Sequence, residues 1–186
     1  MSVLMKAVRS PFKKAEHRKL EDNWVTHHEP VKEGLSFFAK YLGSTLLEEL
    51  DEGESYGNKL STKAVSTIQA MHKASNKKLP QVTIQVSHRR VTVTFTETGA
   101  IFTDLDIQRI HFCGADSKHN KVFTYIARST ENETMECHAF LCPKQKIADA
   151  ITLTVAQAFN LAKEELEMLE QQREDSGSEG GMSPER

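Results

Sequence analysis

The sequence predicts an α+β domain, an antiparallel β-sandwich closed by a single C-terminal helix, and three observations lead there. Between residues 82 and 141, short runs of alternating apolar and polar residues recur between turn-forming clusters, the pattern of a sandwich or barrel. Two longer stretches, near 60–75 and 143–169, repeat their apolar residues at steps of three and four, the period of a helix. The chain has 186 residues, enough for one domain with its own core and tails but too few for two full-sized domains.

The elements follow in order. Leu35–Tyr41 reads as a first strand, with a bend at Leu42-Gly43-Ser44 and an acidic, glycine-containing loop over Leu50–Asn58. A helix then carries Leu60, Ala64, Val65, Ile68 and Met71 on one side, with Ser61 or Thr62 placed to cap it. It is expected to end near Ala74-Ser75-Asn76, before Lys77-Lys78 and the helix-breaking Pro80.

Val82, Ile84 and Val86 alternate with polar neighbours, as do Val91, Val93 and Phe95 after a turn at His88-Arg89. A short strand begins at Ile101-Phe102, and others fit Ile107–Cys113, Val122–Ala127 and Met135–Leu141. That makes seven strands with a helix after the first. The last helix, from about Pro143 to Leu169, aligns Ile147, Ile151, Val155, Ala158, Ala162, Leu166 and Leu169 in one stripe. Such a stripe is what a sandwich with an open corner would bury.

Charge divides the chain. The formal total is −2, which argues against bulk electrostatic attraction to nucleic acid. Residues 1–20 hold six Lys and Arg against one Glu, whereas residues 163–186 hold three against eight Asp and Glu. The domain reading is therefore a basic arm over 1–29, a folded domain over 30–170 and an acidic, disordered tail over 171–186. No apolar run approaches the ~18 residues of a transmembrane helix, and the start of the chain lacks a secretory signal. Three cysteines, Cys113, Cys137 and Cys142, fit reduced thiols in an intracellular protein.

The chemistry-bearing residues do not assemble into a catalyst. Cys137-His138 and Cys142 sit too close together for a tetrahedral metal site, and neighbours on a strand face opposite ways. Cys113 with His111 or His138 lacks an orienting third group and an oxyanion pocket. Glycine is too scattered to cradle a phosphate. The sequence reads as a non-enzymatic binding module with neither cofactor nor metal.

Phe37-Phe38-Ala39-Lys40-Tyr41-Leu42-Gly43 resembles the first core strand of phosphotyrosine-interaction (PTB) domains. Lys121–Ala127, Glu136–Cys142 and Ile151–Phe159 are similar to that family's later strands and C-terminal helix, in the same order, over residues 22–170. The similarity is strongest to the autosomal-recessive-hypercholesterolaemia branch of endocytic adaptors, with the Disabled and engulfment-adaptor proteins nearby. It implies a pleckstrin-homology-like, seven-stranded sandwich with a helix after the first strand and a capping C-terminal helix.

The resemblance also implies a function: binding Asn-Pro-x-Tyr motifs in receptor cytoplasmic tails, largely without phosphorylation. The peptide adds a strand to a sheet edge, a recognition mode for which PTB domains are a known example. The receiving edge corresponds to Ile107–Cys113, contributing Ile107, Arg109, Ile110, His111, Phe112 and Cys113. Alternation predicts that Ile110 and Phe112 share one face, with Arg109 and His111 on the other. Phe159 matches the residue that closes the groove from the helix. At 100° per residue from Ile147 it falls near 120°, on the rim of a stripe centred near 60°. His138 matches a position near the tyrosine end. His111 departs from the serine that relatives often carry, which puts in doubt the residue accepted there.

Lysines at Lys32, Lys40, Lys77, Lys78 and Lys121 match positions that bind phosphatidylinositol 4,5-bisphosphate in relatives. The implied protein is a cytoplasmic adaptor, peripheral to the inner plasma membrane and endocytic vesicles, which feeds receptors to clathrin coats. Leu166–Glu170 lacks the second apolar residue of a clathrin box, so coat components would be reached through a longer form or another route. A phosphotyrosine-reading scaffold and a lipid sensor with a vestigial groove are the alternatives.

Overall fold

The structure, a computed structural model, describes residues 29–51 and 53–177. All of the expected basic arm except Glu29, and residues 178–186 of the expected tail, lie outside the described residues. The elements are α1 (Glu29–Glu33), β1 (Leu35–Leu46), α2 (Asn58–Ser75), β2 (Gln81–Val86), β3 (Arg90–Phe95), β4 (Ile101–Asp106), β5 (Ile110–Ala115), β6 (Val122–Arg128), β7 (Met135–Leu141) and α3 (Gln145–Gly177). The seven strands form one antiparallel sheet in the order β4-β3-β2-β1-β7-β6-β5.

β1 joins the two halves of the sandwich. Its first half pairs with β2 and its second with β7, and the register shifts between Tyr41 and Gly43. The expected bend is thus a bulge inside a longer strand. Gly43 has φ 137°, and a Cβ there would lie 3.3 Å from Cγ2 of Ile68 on α2. Only glycine meets both conditions without strain.

α2 begins at Asn58, so Ser61 does not cap it. Its hydroxyl is instead buried 2.7 Å from that of Thr124, which in turn donates to the Gly114 carbonyl. A buried hydroxyl needs such partners. Ala64, Val65 and Ile68 bury the helix against β6, β7 and the bulge of β1. Asn76, in the left-handed region at φ 49°, ends it where the sequence predicts.

The main core lies between the two halves of the sheet and α3. Val82, Ile84, Val91, Val93, Phe123, Tyr125 and Phe140 meet Ile151, Val155 and Ala158 from the helix. α3 continues to Gly177, beyond the boundary expected at residue 170.

Candidate functional site

One corner of the sandwich combines a free strand edge with a helix. Among the described residues, β5 pairs with β6 alone and ends the sheet. The expected strand over Ile107–Cys113 is shorter than its alternation suggests. Asp106 accepts a hydrogen bond from the Gln108 N–H and turns Ile107–Arg109 into a single 3-10 turn, so the strand starts at Ile110.

His111 is the extra residue of a bulge, because Ile110 pairs with Ala127 while Phe112 pairs with Ile126. A bulge shifts the alternation by one. Ile110 and Phe112 therefore fall on opposite faces, correcting the expectation that they share one. Ile110 joins the main core, whereas Phe112 packs outward near Ala64, Ile126 and Met135.

α3 runs antiparallel to β5. The Cys113 thiol lies 4.0 Å from the Thr152 carbonyl. Thirteen residues later, Glu165 reaches His88 and Arg89 in the β2–β3 turn. The Arg89 carbonyl accepts the N–H of Ile107. Phe159 therefore lies near the start of β5, and it is 41% exposed beside fully buried Ala158, at the edge of the helix's buried stripe. Leu153, opposite the centre of the buried stripe, is exposed.

The remaining predicted residues divide by environment. Ile107 is 1% exposed and belongs to the core, so it supports the corner from beneath. Cys113 is half-buried, and burial pushes its thiol up to about 11, keeping it protonated at neutral pH. His111 is exposed, its ring edge-on to Tyr56 at 6.0 Å. Arg109 is occupied: Glu133 grips its guanidinium at 2.6 and 3.1 Å, and the Ser129 carbonyl accepts at 3.3 Å. The neighbouring Arg128 is held the same way by Glu49, at 2.8 and 3.1 Å.

His138 does not meet β5. It sits two strands away, on the wall of a cleft of about 460 Å³ between β4 and the β6–β7 end. Its Nε2–H donates to Glu136 at 3.0 Å, which leaves Nδ1 to accept the Tyr41 hydroxyl at 3.1 Å. The ring stacks on Tyr125 at 5.0 Å. Burial holds the imidazole below its ordinary value, and the Glu136 carboxylate works against that shift.

Of the five predicted lysines, Lys40 and Lys121 line one pocket of about 640 Å³ with Phe38, Gln81 and Leu141. Pro80 sits beside it, its carbonyl accepting the Tyr41 N–H, so Lys77 and Lys78 approach from the preceding segment. Lys32 is elsewhere. It belongs to α1, beyond the far end of β1, where the five steps from Leu35 to Lys40 alone span about 17 Å. Among the described residues, no group of three or more His, Cys, Asp and Glu could hold a metal ion, and no helix is long and apolar enough to cross a membrane.

Sequence reasoning missed Tyr56, Glu133 and Glu49, which act on His111, Arg109 and Arg128. Glu49 lies 79 positions from Arg128, a pairing that no local pattern signals.

Comparison with known proteins places this geometry. The family model described as phosphotyrosine interaction domain (PTB/PID) matches residues 37–168. The low density lipoprotein receptor adapter protein 1 of Mus musculus is 47% identical over 171 residues, covering 90% of this chain and 54% of that protein. The PTB domain-containing engulfment adapter protein 1 of Homo sapiens is 32% identical over 149 residues, covering 78% of this chain and 47% of that protein. The chain spans about half the length of the curated relatives it matches. Among solved structures, the C-terminal phosphotyrosine interaction domain of APBB2 from mouse aligns with a TM-score of 0.55 at 22% identity, covering 67% of this chain and 85% of that one. That likeness concerns the fold.

Proposed function

Because the chain belongs to the phosphotyrosine-interaction domain (PTB/PID) family, we propose that its β5–α3 corner takes up an Asn-Pro-x-Tyr segment of a receptor tail as an added antiparallel strand. The observation that carries this reading is the free edge of β5 lying beside a helix whose Phe159 is half exposed. An incoming strand would satisfy the open backbone groups and bury that ring. Ile110 and Cys113 would form the floor, and His111 with Tyr56 a lip on the outer face. Ile107 and Phe112 would hold the strand in place, and His138 would act only through the β6–β7 end.

Binding would not require phosphorylation. Clamping a phosphate dianion takes free guanidinium groups, and the two arginines nearest this end are already paired with Glu133 and Glu49. A titration with phosphorylated and unphosphorylated Asn-Pro-x-Tyr peptides, side by side, tests both points. The unphosphorylated peptide should bind at least as well. A tenfold preference for phosphotyrosine would instead favour a signalling scaffold.

The Lys40–Lys121 pocket, with Lys77 and Lys78 beside it, would take a phosphoinositide headgroup and bring the domain to an anionic leaflet. Each cation near such a surface contributes about 1 kcal/mol. Reversal of both Lys40 and Lys121 to Glu should abolish binding to vesicles containing phosphatidylinositol 4,5-bisphosphate, with peptide affinity in solution unchanged. Vesicle binding that survives the reversal removes this pocket from the reading. With both surfaces engaged, the protein would act as an endocytic adaptor that links receptor cargo to coat assembly, as the relatives' description as receptor adapters supports.

A further inference from the structure

The apolar stripe of α3 continues past the body that buries it. Ile151, Val155 and Ala158 are covered by the sheet, and Glu165 is tied to it through His88 and Arg89. Leu166 and Leu169 carry the same stripe onward yet are 46% and 55% exposed. Counted at 100° per residue they lie near 100° and 40°, within the buried range, while Glu170 and Glu174 flank them near 140° and 180°. The projecting end is thus an apolar strip with an acidic border.

We propose that the N-terminal segment, residues 1–28, docks on this projecting end of α3 through Trp24 and its basic side chains. Three observations single out this occupant. The first is where the segment enters: α1 packs on α3, and Gly34 lies against Gln85 and Val86, just before the turn that grips Glu165. The chain therefore arrives at the end of the sandwich from which α3 departs.

The second is reach. Trp24 precedes α1 by five residues, an extended span of about 17 Å, whereas Leu169 lies only about 6 Å along the helix from Glu165. The third is charge. Residues 1–28 bring Lys6, Arg9, Lys13, Lys14, Arg18 and Lys19 against Glu16, Glu21 and Asp22, facing a helix end that carries Glu164, Glu167, Glu170 and Glu174 against Lys163 and Arg173. An apolar strip that continues into acids fits an aromatic preceded along the chain by cations.

Trp24 is the single tryptophan of the chain, so its fluorescence reports the contact directly. In the full chain its emission should be blue-shifted from that of the unfolded protein and shielded from acrylamide. The double substitution Leu166→Ser with Leu169→Ser should shift the emission to the red and raise quenching several-fold. The melting temperature should change little, because both side chains are exposed. Should that variant fail to fold, Glu170→Lys with Glu174→Lys repels the arm instead and should give the same exposure.

A tryptophan already open to solvent in the wild type overturns the proposal, and so does a shielded one that neither variant releases. Shielding that appears only as protein concentration rises assigns the strip to a second copy. Shielding that appears only with phosphatidylserine vesicles assigns the arm to the membrane. Either result removes the intramolecular contact.

Discussion

The sheet has two ends, β4 and β5, and among the described residues neither has a second strand beside it, yet they are built differently. β4 carries Asp104 and Asp106; Arg90 and Thr92 both donate to the Asp104 carboxylate, and its pairing with β3 is bulged. The cleft beside it is lined by Asp104, Glu131 and Glu136. β5 is bulged as well, at His111, so the charges are what distinguish the two edges, and charge on an edge strand is one way a sheet refuses an added strand. β5 reads Ile-His-Phe-Cys-Gly-Ala, without a carboxylate or a lysine, and lies beside an apolar helix rim. If β5 is the receiving edge proposed above, the difference lies less in its open backbone than in its lack of carboxylates and the presence of a second wall.

The largest effect should come from removing that wall. Phe159→Ala is expected to weaken peptide binding by roughly 1–3 kcal/mol, the range for truncating an aromatic anchor at an interface. Ile101→Ala removes an equally prominent side chain from β4, 65% exposed, and should leave peptide affinity unchanged. Thermal stability should fall less for Phe159→Ala than for Val155→Ala, whose buried side chain leaves a cavity in the core. Calorimetric titration and melting of the three variants decide it. Equal losses at both edges would mean that the comparison is empty, and unfolding of Phe159→Ala would make this ring a core residue.

A smaller effect tests the proposed independence of phosphorylation. Glu49→Gln with Glu133→Gln leaves Arg128 and Arg109 without their carboxylates. A charge-assisted hydrogen bond to a freed guanidinium is worth about 1.5 kcal/mol or more, but exposed arginines lose part of that to water. The double variant should gain affinity for the phosphorylated peptide by about tenfold or less and bind the unphosphorylated one as before. Unchanged affinity for both would show that these arginines do not face the tyrosine.

Much of this was legible in the sequence, for physical reasons that also mark where legibility stopped. Alternation located β2 and β3 because each has one face against the core, apolar runs between polar loops located β6 and β7, whose second face α2 covers, and helical spacing put Phe159 on the rim. The β5 bulge escaped, since inserting one residue at His111 reverses the faces without altering composition. Ser61 looked like a cap because serine before an apolar run usually is one; the buried Thr124 hydroxyl, 63 positions away, made it an interior residue instead. The charge pairs at Arg109 and Arg128 depend on which loops meet, which only the fold determines.

The smallest effect concerns the β4 side, where closure relies on one neutral histidine. His138 donates to Glu136 and accepts from Tyr41, whose ring also packs on Phe102 of β4 at 4.6 Å. Protonating Nδ1 would abolish its acceptor role and place a cation in a largely buried site. Because burial depresses this imidazole below its unfolded value, the unfolded chain binds the proton first as pH falls. The contribution is fully present above about 6.5 and is lost as pH drops from there through the lower folded value. Melting temperature should therefore decline on acidification over that window, and His138→Gln should flatten the decline. Peptide affinity per folded molecule should stay constant, since His138 lies two strands from β5. Affinity that falls in step with stability, and recovers in His138→Gln, would show that the two edges are coupled through β6 and β7 rather than independent.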